Sequence, residues 1–315
     1  MNNIICIAGP TASGKTALSI ALAQELDAEI VSCDSMQVYR RMDIGTAKPT
    51  VAERAGITHH MLDVAEPDED FSVSRYCAMA APIVDRILAQ GKTAIIVGGT
   101  GLYMDSLIRG NDFAPYPSTG RREELEALAR EKGIDAVLAQ LRAVDPQSAA
   151  RLHPSDRKRI IRAMEVYLET GQTITQHNLR TQSIPPRYKP TWFALEDADR
   201  KDLYRRIDRR VEDMLEQGLI HEIRQLLASG ISPRATAMQA IGYKEFIAAL
   251  EGQVSMVEAT AQVQQASRHY AKRQLTWFRR NEAIHWLRRQ PGCGTEEILS
   301  AARQILQKSD KQDLL

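Results

Sequence analysis

The sequence has little cysteine and no long apolar run, and each shortage excludes a class of protein. Its four cysteines, Cys6, Cys33, Cys77 and Cys293, show no C-x-x-C spacing, so neither a zinc knuckle nor a disulfide framework is indicated. No apolar stretch approaches the roughly 18 residues that a membrane span needs. The short apolar start at residues 4–8 lacks the basic segment and cleavage site of a signal peptide. We therefore expect a soluble, cytoplasmic protein without a membrane anchor.

Net charge is also nearly absent, because 41 basic residues face 40 acidic ones. This balance excludes a protein that is drawn to nucleic acid by its total charge. The charges are nevertheless unevenly distributed, with a balance of −5 over residues 1–120 and of +6 over residues 151–210. Arginine supplies 30 of the basic residues and lysine 11, a bias that favours bidentate binding of phosphate or carboxylate groups.

Three short apolar runs, residues 4–8, 29–33 and 93–97, predict strands, and residues 16–26 and 72–90 between them have helical periodicity. Strands that alternate with helices predict an α/β fold with a parallel sheet flanked by helices. Ligands of such sheets bind at the carboxyl ends of the strands.

The pattern changes after residue 112. A turn-rich connector at residues 113–120 and a largely helical stretch beyond it predict a helical insertion domain at 113–190. The catalytic core is then discontinuous, formed by residues 1–112 and 191–290 with a returning strand at 191–195, and residues 291–315 are expected to be a polar C-terminal tail.

Residues 9–16 match the pattern G-x-x-x-x-G-K-[ST] at every fixed position, after a predicted strand and before a predicted helix. In this context backbone N–H groups converge on phosphate oxygens at a helix N-terminus. Lys15 adds a positive charge, and Thr16 can ligate Mg²⁺. The predicted phosphate site consists of Gly9, Pro10, Thr11, Ala12, Ser13, Gly14, Lys15 and Thr16.

Asp34 follows the second predicted strand, and the residues alone leave three roles open: a ligand that helps to hold Mg²⁺, a general base, or a turn residue. The neighbouring hydroxyl, thioether and amide groups of Ser35, Met36 and Gln37 suit recognition of a nucleic-acid base. Thr100 stands among three glycines at residues 98–101 and can donate to a phosphate oxygen.

Two basic segments, residues 151–162 and 268–289, are typical of a nucleic-acid surface. The second has seven basic residues against one acidic, with Tyr270, Trp277, Phe278 and Trp286 among them. A solvated helix face over packed aromatic rings explains the same composition equally well. At this level a metabolite kinase and an RNA-binding nucleotide switch also remain open.

Four segments in this order closely resemble the tRNA dimethylallyltransferases, over about residues 4–285: GPTASGKT at 9–16, DSMQVYRRMDIGTAKP at 34–49, GGTGLY at 98–103 and AIGYK at 240–244. Eukaryotic members carry a C-terminal zinc finger. Since Cys293 is the sole cysteine beyond residue 77, this chain resembles the bacterial form.

The resemblance implies a P-loop NTPase-like fold and a defined reaction. A dimethylallyl group passes from dimethylallyl diphosphate to the exocyclic N6 of the adenosine immediately 3′ of the anticodon in tRNA, and diphosphate is released. Mg²⁺ is the implied cofactor and the tRNA anticodon stem-loop the implied partner. No obligatory protein partner is needed, so we expect a monomer.

The resemblance also implies roles for individual residues. Asp34 accepts the N6 proton, Thr100 donates near the bridging oxygen, and Lys15 stabilises the leaving diphosphate. Arg210 is expected to contact the diphosphate, with Arg206, four residues earlier, as its substitute. The expected tRNA contacts are Asp34, Ser35, Met36, Gln37, Thr100, Arg122, Lys158, Arg159, Ile160, Ile161, Arg162, Gln239, Ala240, Ile241, Gly242, Tyr243 and Lys244.

Overall fold

The computed structural model describes residues 3–111 and 119–312. Its strands are Ile4–Ala8 (β1), Ala28–Ser32 (β2), His59–His60 (β3), Thr93–Val97 (β4), Thr191–Asp197 (β5) and Ile284–Arg289 (β6). Its helices are Lys15–Leu26 (α1), Val73–Ala89 (α2), Gly101–Arg109 (α3), Arg121–Glu131 (α4), Ile134–Val144 (α5), Pro146–Ala150 (α6), Arg157–Thr170 (α7), Ile174–Ser183 (α8), Arg200–Glu216 (α9), Leu219–Ala228 (α10), Tyr243–Leu250 (α11), Met256–Phe278 (α12) and Thr295–Gln312 (α13), with a 3₁₀ turn at Ala237–Gln239.

The six strands form one parallel sheet in the order β3-β2-β4-β1-β5-β6. Central strand β1 is apolar at every position because a parallel strand is covered on both faces. Ile5 and Ile7 pack on one face against α1, while Cys6 and Ala8 face the larger apolar cluster on the other. The predicted α/β fold is confirmed.

The sheet topology places the predicted ligand loops at one edge. Strands β1, β2 and β4 are neighbours, and their carboxyl ends lead into residues 9–15, 33–37 and 98–101. Gly98 shows how tightly these loops pack, because a Cβ on it would overlap the Cys33 backbone. Segments that are far apart in sequence therefore form one site.

The insertion is a compact unit of its own, Asn111–Pro186, separate from a larger unit formed by Met1–Gly110 and Arg187–Leu315. Leu138, Leu141, Ile160 and Ile161 belong to its apolar core. Residues 187–190, which we placed in the insertion, belong to the larger unit, where the Tyr188 hydroxyl donates to Asp85 Oδ1 at 2.6 Å. Residues 112–118, most of the predicted connector, lie outside the described residues.

The polar tail predicted at 291–315 is wrong for the part that the structure describes. Helix α13 buries Ile298, Leu299 and Ala302 against α1, and Arg303 Nε donates to Glu25 Oε2 at 2.9 Å. The apolar side chains recur every three to four residues among polar ones, which is the signature of an amphipathic helix. Within residues 3–111 and 119–312, no helix has the length and apolarity to cross a membrane.

Candidate active site

Residues 9–16, which we call the phosphate loop, follow β1 and enter α1. Gly14 has a left-handed backbone (φ 90°), and a Cβ there would lie 2.5 Å from an Arg289 nitrogen. At Gly9 (φ 142°) a Cβ would lie 3.0 Å from the Leu195 carbonyl oxygen. Only glycine fits both conditions. Gly14, the N-cap of α1, has no side chain that could cap the helix, and the first turn has no acidic residue. Within the described part of the chain, the first N–H groups of α1 are therefore available to an anion.

The cations Lys15 and Arg210 interact with each other beside the phosphate loop. Burial and the nearby charge of Arg210 lower the pKa of Lys15 to about 7, and Asp34 acts in the opposite direction. Burial likewise lowers the pKa of Arg210, against the opposing charges of Asp34 and Glu53. Two partly buried cations side by side are costly unless an anion joins them, so the pair favours a ligand with more than one negative charge.

The structure separates the two arginines that the sequence left as alternatives. Arg206 is occupied, because its Nε donates to the Ala12 carbonyl oxygen at 2.9 Å and its Nη2 forms an ion pair with Asp197 at 2.6 Å. It therefore supports the phosphate loop from outside. Arg210, one turn further along α9, lines the cavity with Lys15. This placement supports Arg210 as the diphosphate contact.

Asp34 lies directly after β2. Its Oδ1 accepts the N–H groups of Met36 at 2.8 Å and Gln37 at 3.4 Å, which is the turn role. Its Oδ2 has no hydrogen bond to any residue in the described ranges. Thr100 Oγ1 accepts the Ser35 N–H at 3.1 Å, so the loops after β2 and β4 are joined. One carboxylate oxygen fixes the turn while the other is available for chemistry.

Two further residues of the site lie on α12, and the sequence pattern did not predict a role for either of them in the site. Gln274 is buried, and it accepts the Thr11 N–H at 2.9 Å and donates to the Gly99 carbonyl oxygen at 3.0 Å. Tyr270 lines the same cavity, and burial raises its pKa to about 12. A local pattern could not reveal Gln274, because Thr11 lies 263 positions away.

Lys15, Asp34, Arg210, Tyr270 and Gln274 line one cavity of about 430 Å³ within the larger unit, and Thr100 is not among its lining residues. A volume in this range suits a small ligand or cofactor. Its lining places phosphate-binding and nucleoside-binding candidates together; it includes Thr11, Lys15, Thr16, Asp34, Ser35, Met36, Gln37, Arg210, Gln239, Ala240, Ile241, Gly242, Lys244 and Tyr270.

The donors at this edge fit a magnesium ion that is bound together with a diphosphate. Among the described residues no three His, Cys, Asp or Glu side chains could hold a metal by themselves. Thr16 and Asp34 line the cavity and offer one hydroxyl and one carboxylate. Mg²⁺ in phosphate sites takes only one or two such ligands, because substrate oxygens and water supply the rest.

Residues 239–244 divide into exposed and buried positions. Gln239 and Lys244 are exposed, whereas Tyr243 is fully buried and donates to Glu222 Oε1 at 2.6 Å. The prediction that the Tyr243 side chain contacts tRNA is therefore wrong, because the ring belongs to the core. Gly242 is buried but lines the cavity.

In the insertion, α7 presents one basic face and one core face. Arg122 and Arg162 both pair with Glu165, at 3.5 and 3.1 Å, while Lys158 and Arg159 are exposed. The predicted side-chain contacts of Ile160 and Ile161 with tRNA are wrong, because both side chains are fully buried in the insertion core. They keep the helix in place under its charged face.

The basic segment at 268–289 combines both interpretations. Phe278 is buried in the core and Trp277 donates to Asp105 Oδ2 at 2.8 Å, which is the packed arrangement. Tyr270 lines the cavity, and Arg273 lies over its ring at 5.5 Å. The segment ends in edge strand β6, which the sequence pattern did not predict.

The fold and the site define a P-loop-type α/β protein whose phosphate loop shares a cavity with an available carboxylate. A family model described as IPP transferase matches residues 37–281, and the chain belongs to this family. The predicted family is thus confirmed.

Known proteins are similar to this chain over nine-tenths or more of its length. A tRNA dimethylallyltransferase of Alkaliphilus oremlandii is 48% identical over 284 residues, 90% of each chain. The tRNA isopentenylpyrophosphate transferase of Bacillus halodurans has 38% identity and a TM-score of 0.74, covering 100% of this chain and 99% of its own. A eukaryotic dimethylallyltransferase described as acting on tRNA has 30% identity and a TM-score of 0.79, and the match covers 91% of this chain and 74% of its own.

Proposed function

We propose that this protein transfers a dimethylallyl group from dimethylallyl diphosphate to the exocyclic N6 of the adenosine immediately 3′ of the anticodon in tRNA. One observation carries the proposal: Thr11, Lys15 and Thr16 of the phosphate loop line a single cavity together with Arg210 and Asp34. A phosphate site beside a general base is the arrangement that displacement of diphosphate by an amine requires. The likeness to enzymes named for prenyl transfer to tRNA supports the same reaction.

The chemistry needs activation on both sides. The bond from the allylic carbon to the bridging oxygen breaks, its electron pair leaves with diphosphate, and the new bond forms from N6 to that carbon. The exocyclic amine is a poor nucleophile because its lone pair is conjugated with the ring. Asp34 Oδ2 accepts the N6 proton, and Lys15 and Arg210 neutralise the charge that develops on the departing oxygens.

Magnesium would be held by the Thr16 hydroxyl, with diphosphate oxygens and water completing its coordination. When bound, it supplies further positive charge at the leaving group. Thr100 adds a hydrogen bond near the bridging oxygen, and its own link to Ser35 keeps the hydroxyl in position.

Recognition of tRNA involves two groups of residues. Asp34, Ser35, Met36 and Gln37 contact the target base, which must leave the stacked loop at a cost of a few kcal/mol. Gln239, Ala240, Ile241, Gly242 and Lys244 extend the surface at the cavity, and Arg122, Lys158, Arg159 and Arg162 bind phosphates of the anticodon arm. We place the enzyme in the cytoplasm. We also infer that it acts as a monomer, since the described lining residues of the cavity all come from one chain.

The test is incubation with Mg²⁺, labelled dimethylallyl diphosphate and unmodified tRNA, and in parallel with labelled ATP in place of the prenyl donor. We expect label in tRNA with the prenyl donor alone. Phosphorylation by ATP would support a kinase, and tRNA binding without any transfer would support a nucleotide switch; either result would refute the proposal.

A further inference from the structure

A buried carboxylate on α10 holds a loop beside the cavity. Glu222 is 8% exposed, and its Oε2 accepts the N–H groups of Asp43 at 2.8 Å and Ile44 at 2.7 Å. Its Oε1 accepts the Gly45 N–H at 3.2 Å and the Tyr243 hydroxyl at 2.6 Å. Three consecutive N–H groups around one anion form a nest. Four donors on one carboxylate fix the start of the loop.

Residues 43–47, which we call the clamp loop, in turn fix the amide of Gln37. Its Nε2 donates to the carbonyl oxygens of Thr46 and Ala47, each at 3.2 Å, and its Oε1 accepts the Ser32 hydroxyl at 3.0 Å. Both N–H groups of this amide are thus used within the protein. The remaining capacity is a lone pair on Oε1, and Gln37 lines the cavity.

From these contacts we propose that Glu222 is a positioning residue that makes the enzyme select an amino base over an oxo base. The clamp loop presents Gln37 to the target base as an acceptor only. An acceptor pairs with an exocyclic amine and repels a carbonyl at the same ring position. This inference rests on the proposed function, because it concerns how that reaction recognises its adenosine.

Lys48 anchors the same loop at a second point, because it follows the loop and binds the side chain of Asp43. Lys48 Nζ is buried and binds Asp43 Oδ1 at 2.6 Å, Asp63 Oδ1 at 2.5 Å and the Tyr39 carbonyl oxygen at 2.8 Å. Loss of Glu222 therefore leaves the backbone N–H groups of residues 43–45 without their acceptor, while Lys48 still holds the Asp43 side chain. Once the two carbonyl groups move, the Gln37 amide can rotate and offer its N–H₂ group instead.

The experiment measures binding, not turnover. Anticodon stem-loops that differ solely in having adenosine or inosine at the target position are titrated into wild type and Glu222→Gln. We expect wild type to bind the adenosine stem-loop about tenfold more tightly, the scale of one hydrogen bond gained or opposed. In Glu222→Gln the ratio should fall to about twofold, with unchanged affinity for dimethylallyl diphosphate.

A second variant reaches the loop without altering a charge. A Cβ at Gly45 would lie 2.5 Å from the Tyr243 ring, so Gly45→Ala displaces the clamp loop and should narrow the ratio in the same way. If Glu222→Gln does not fold, the ratio measured for Gly45→Ala tests the inference in its place. Glu29→Gln is the matched control, because Glu29 is also mostly buried and bonded to His60 at 2.7 Å, outside the cavity lining. Its ratio should equal that of wild type.

Dependence on Gln37 separates positioning from general destabilisation. In a Gln37→Ala background, adding Glu222→Gln should leave the adenosine-to-inosine ratio unchanged, since the group that Glu222 orients is gone. The inference would be overturned if folded Glu222→Gln kept the adenosine-to-inosine ratio of wild type. It would also be overturned if the double variant had a lower ratio than Gln37→Ala alone. A wild type that prefers adenosine but transfers no prenyl group would refute the proposed function and leave the inference standing.

Discussion

The Lys15 ammonium group donates to the Pro10 carbonyl oxygen at 2.6 Å, so the lysine of the phosphate loop is folded back onto its own loop. The Lys15 ammonium group is poorly solvated, because it is buried, bonded to the Pro10 carbonyl oxygen and close to the charge of Arg210. Its lowered pKa of about 7 has a direct consequence for ligand binding.

We expect the affinity for dimethylallyl diphosphate to fall as the pH rises through about 7. The pKa of Lys15 in the folded protein lies below its ordinary value of 10.5, so above about pH 7 the Lys15 amine of the free site is increasingly neutral. A bound diphosphate favours the protonated form, and binding near pH 8 should therefore take up a proton. Calorimetry in buffers of different ionisation enthalpy measures this uptake.

Lys15→Met is the control for that titration. It should bind the donor weakly at every pH and lose most of the proton uptake. Affinity of the wild type that does not change between about pH 6 and 9 would contradict the assignment, because linkage requires a pH dependence wherever the bound and free pKa values differ.

Asp34→Asn should lower the single-turnover rate by about 100-fold or more, which is the contribution of a general base. The asparagine oxygen can still accept the Met36 N–H that Asp34 Oδ1 accepts at 2.8 Å, so the turn and the tRNA affinity should remain near wild type. Rapid-quench kinetics and a parallel binding titration separate the two effects. A large loss of tRNA binding with normal chemistry would reassign Asp34 to recognition.

Gln274→Ala should destabilise the protein by about 2–4 kcal/mol, because Thr11 N–H and the Gly99 carbonyl lose their partners in a buried place. The affinity for dimethylallyl diphosphate should fall with it, since the phosphate loop loses its tie to the loop after β4. Chemical denaturation and donor titration measure the two effects. Gln265→Ala on the exposed side of the same helix is the matched control, and indistinguishable behaviour of the two variants would refute this role.

Arg159→Ala should reduce the slope of log affinity for tRNA against log salt concentration by somewhat less than one, the effect of losing one phosphate contact. The Arg159 side chain is 75% exposed at the start of α7. Arg142→Ala removes an exposed arginine elsewhere in the insertion and should leave the slope unchanged. Equal slopes for wild type and Arg159→Ala would exclude this phosphate contact.

The sequence predicted those parts of the site that depend on neighbours along the chain. The phosphate loop, β1 and α1 follow from one local pattern, and so does the position of Asp34 at a strand end. Long-range packing was not predictable. Arg206 and Arg210 lie on one face of a helix, and only the position of Asp197 and Ala12 decides which of them is free for a ligand.

Burial within a recognised segment was equally hidden. The resemblance predicts tRNA contacts for all of residues 158–162 and 239–244, but Ile160, Ile161 and Tyr243 face the core. The role of Glu222 was not predictable from the sequence either. Its partners at residues 43–45 are nearly 180 positions away, so no local pattern distinguishes it from a solvated glutamate.

The central claim is prenyl transfer to one adenosine of tRNA, and the most direct measurement is nucleoside analysis of the reacted tRNA. After incubation with Mg²⁺ and dimethylallyl diphosphate, digestion and mass spectrometry should show adenosine carrying one dimethylallyl group on N6, at the position 3′ of the anticodon. One diphosphate should be released for each modified nucleoside. Unmodified adenosine at that position, or release of diphosphate without a modified nucleoside, would contradict the account.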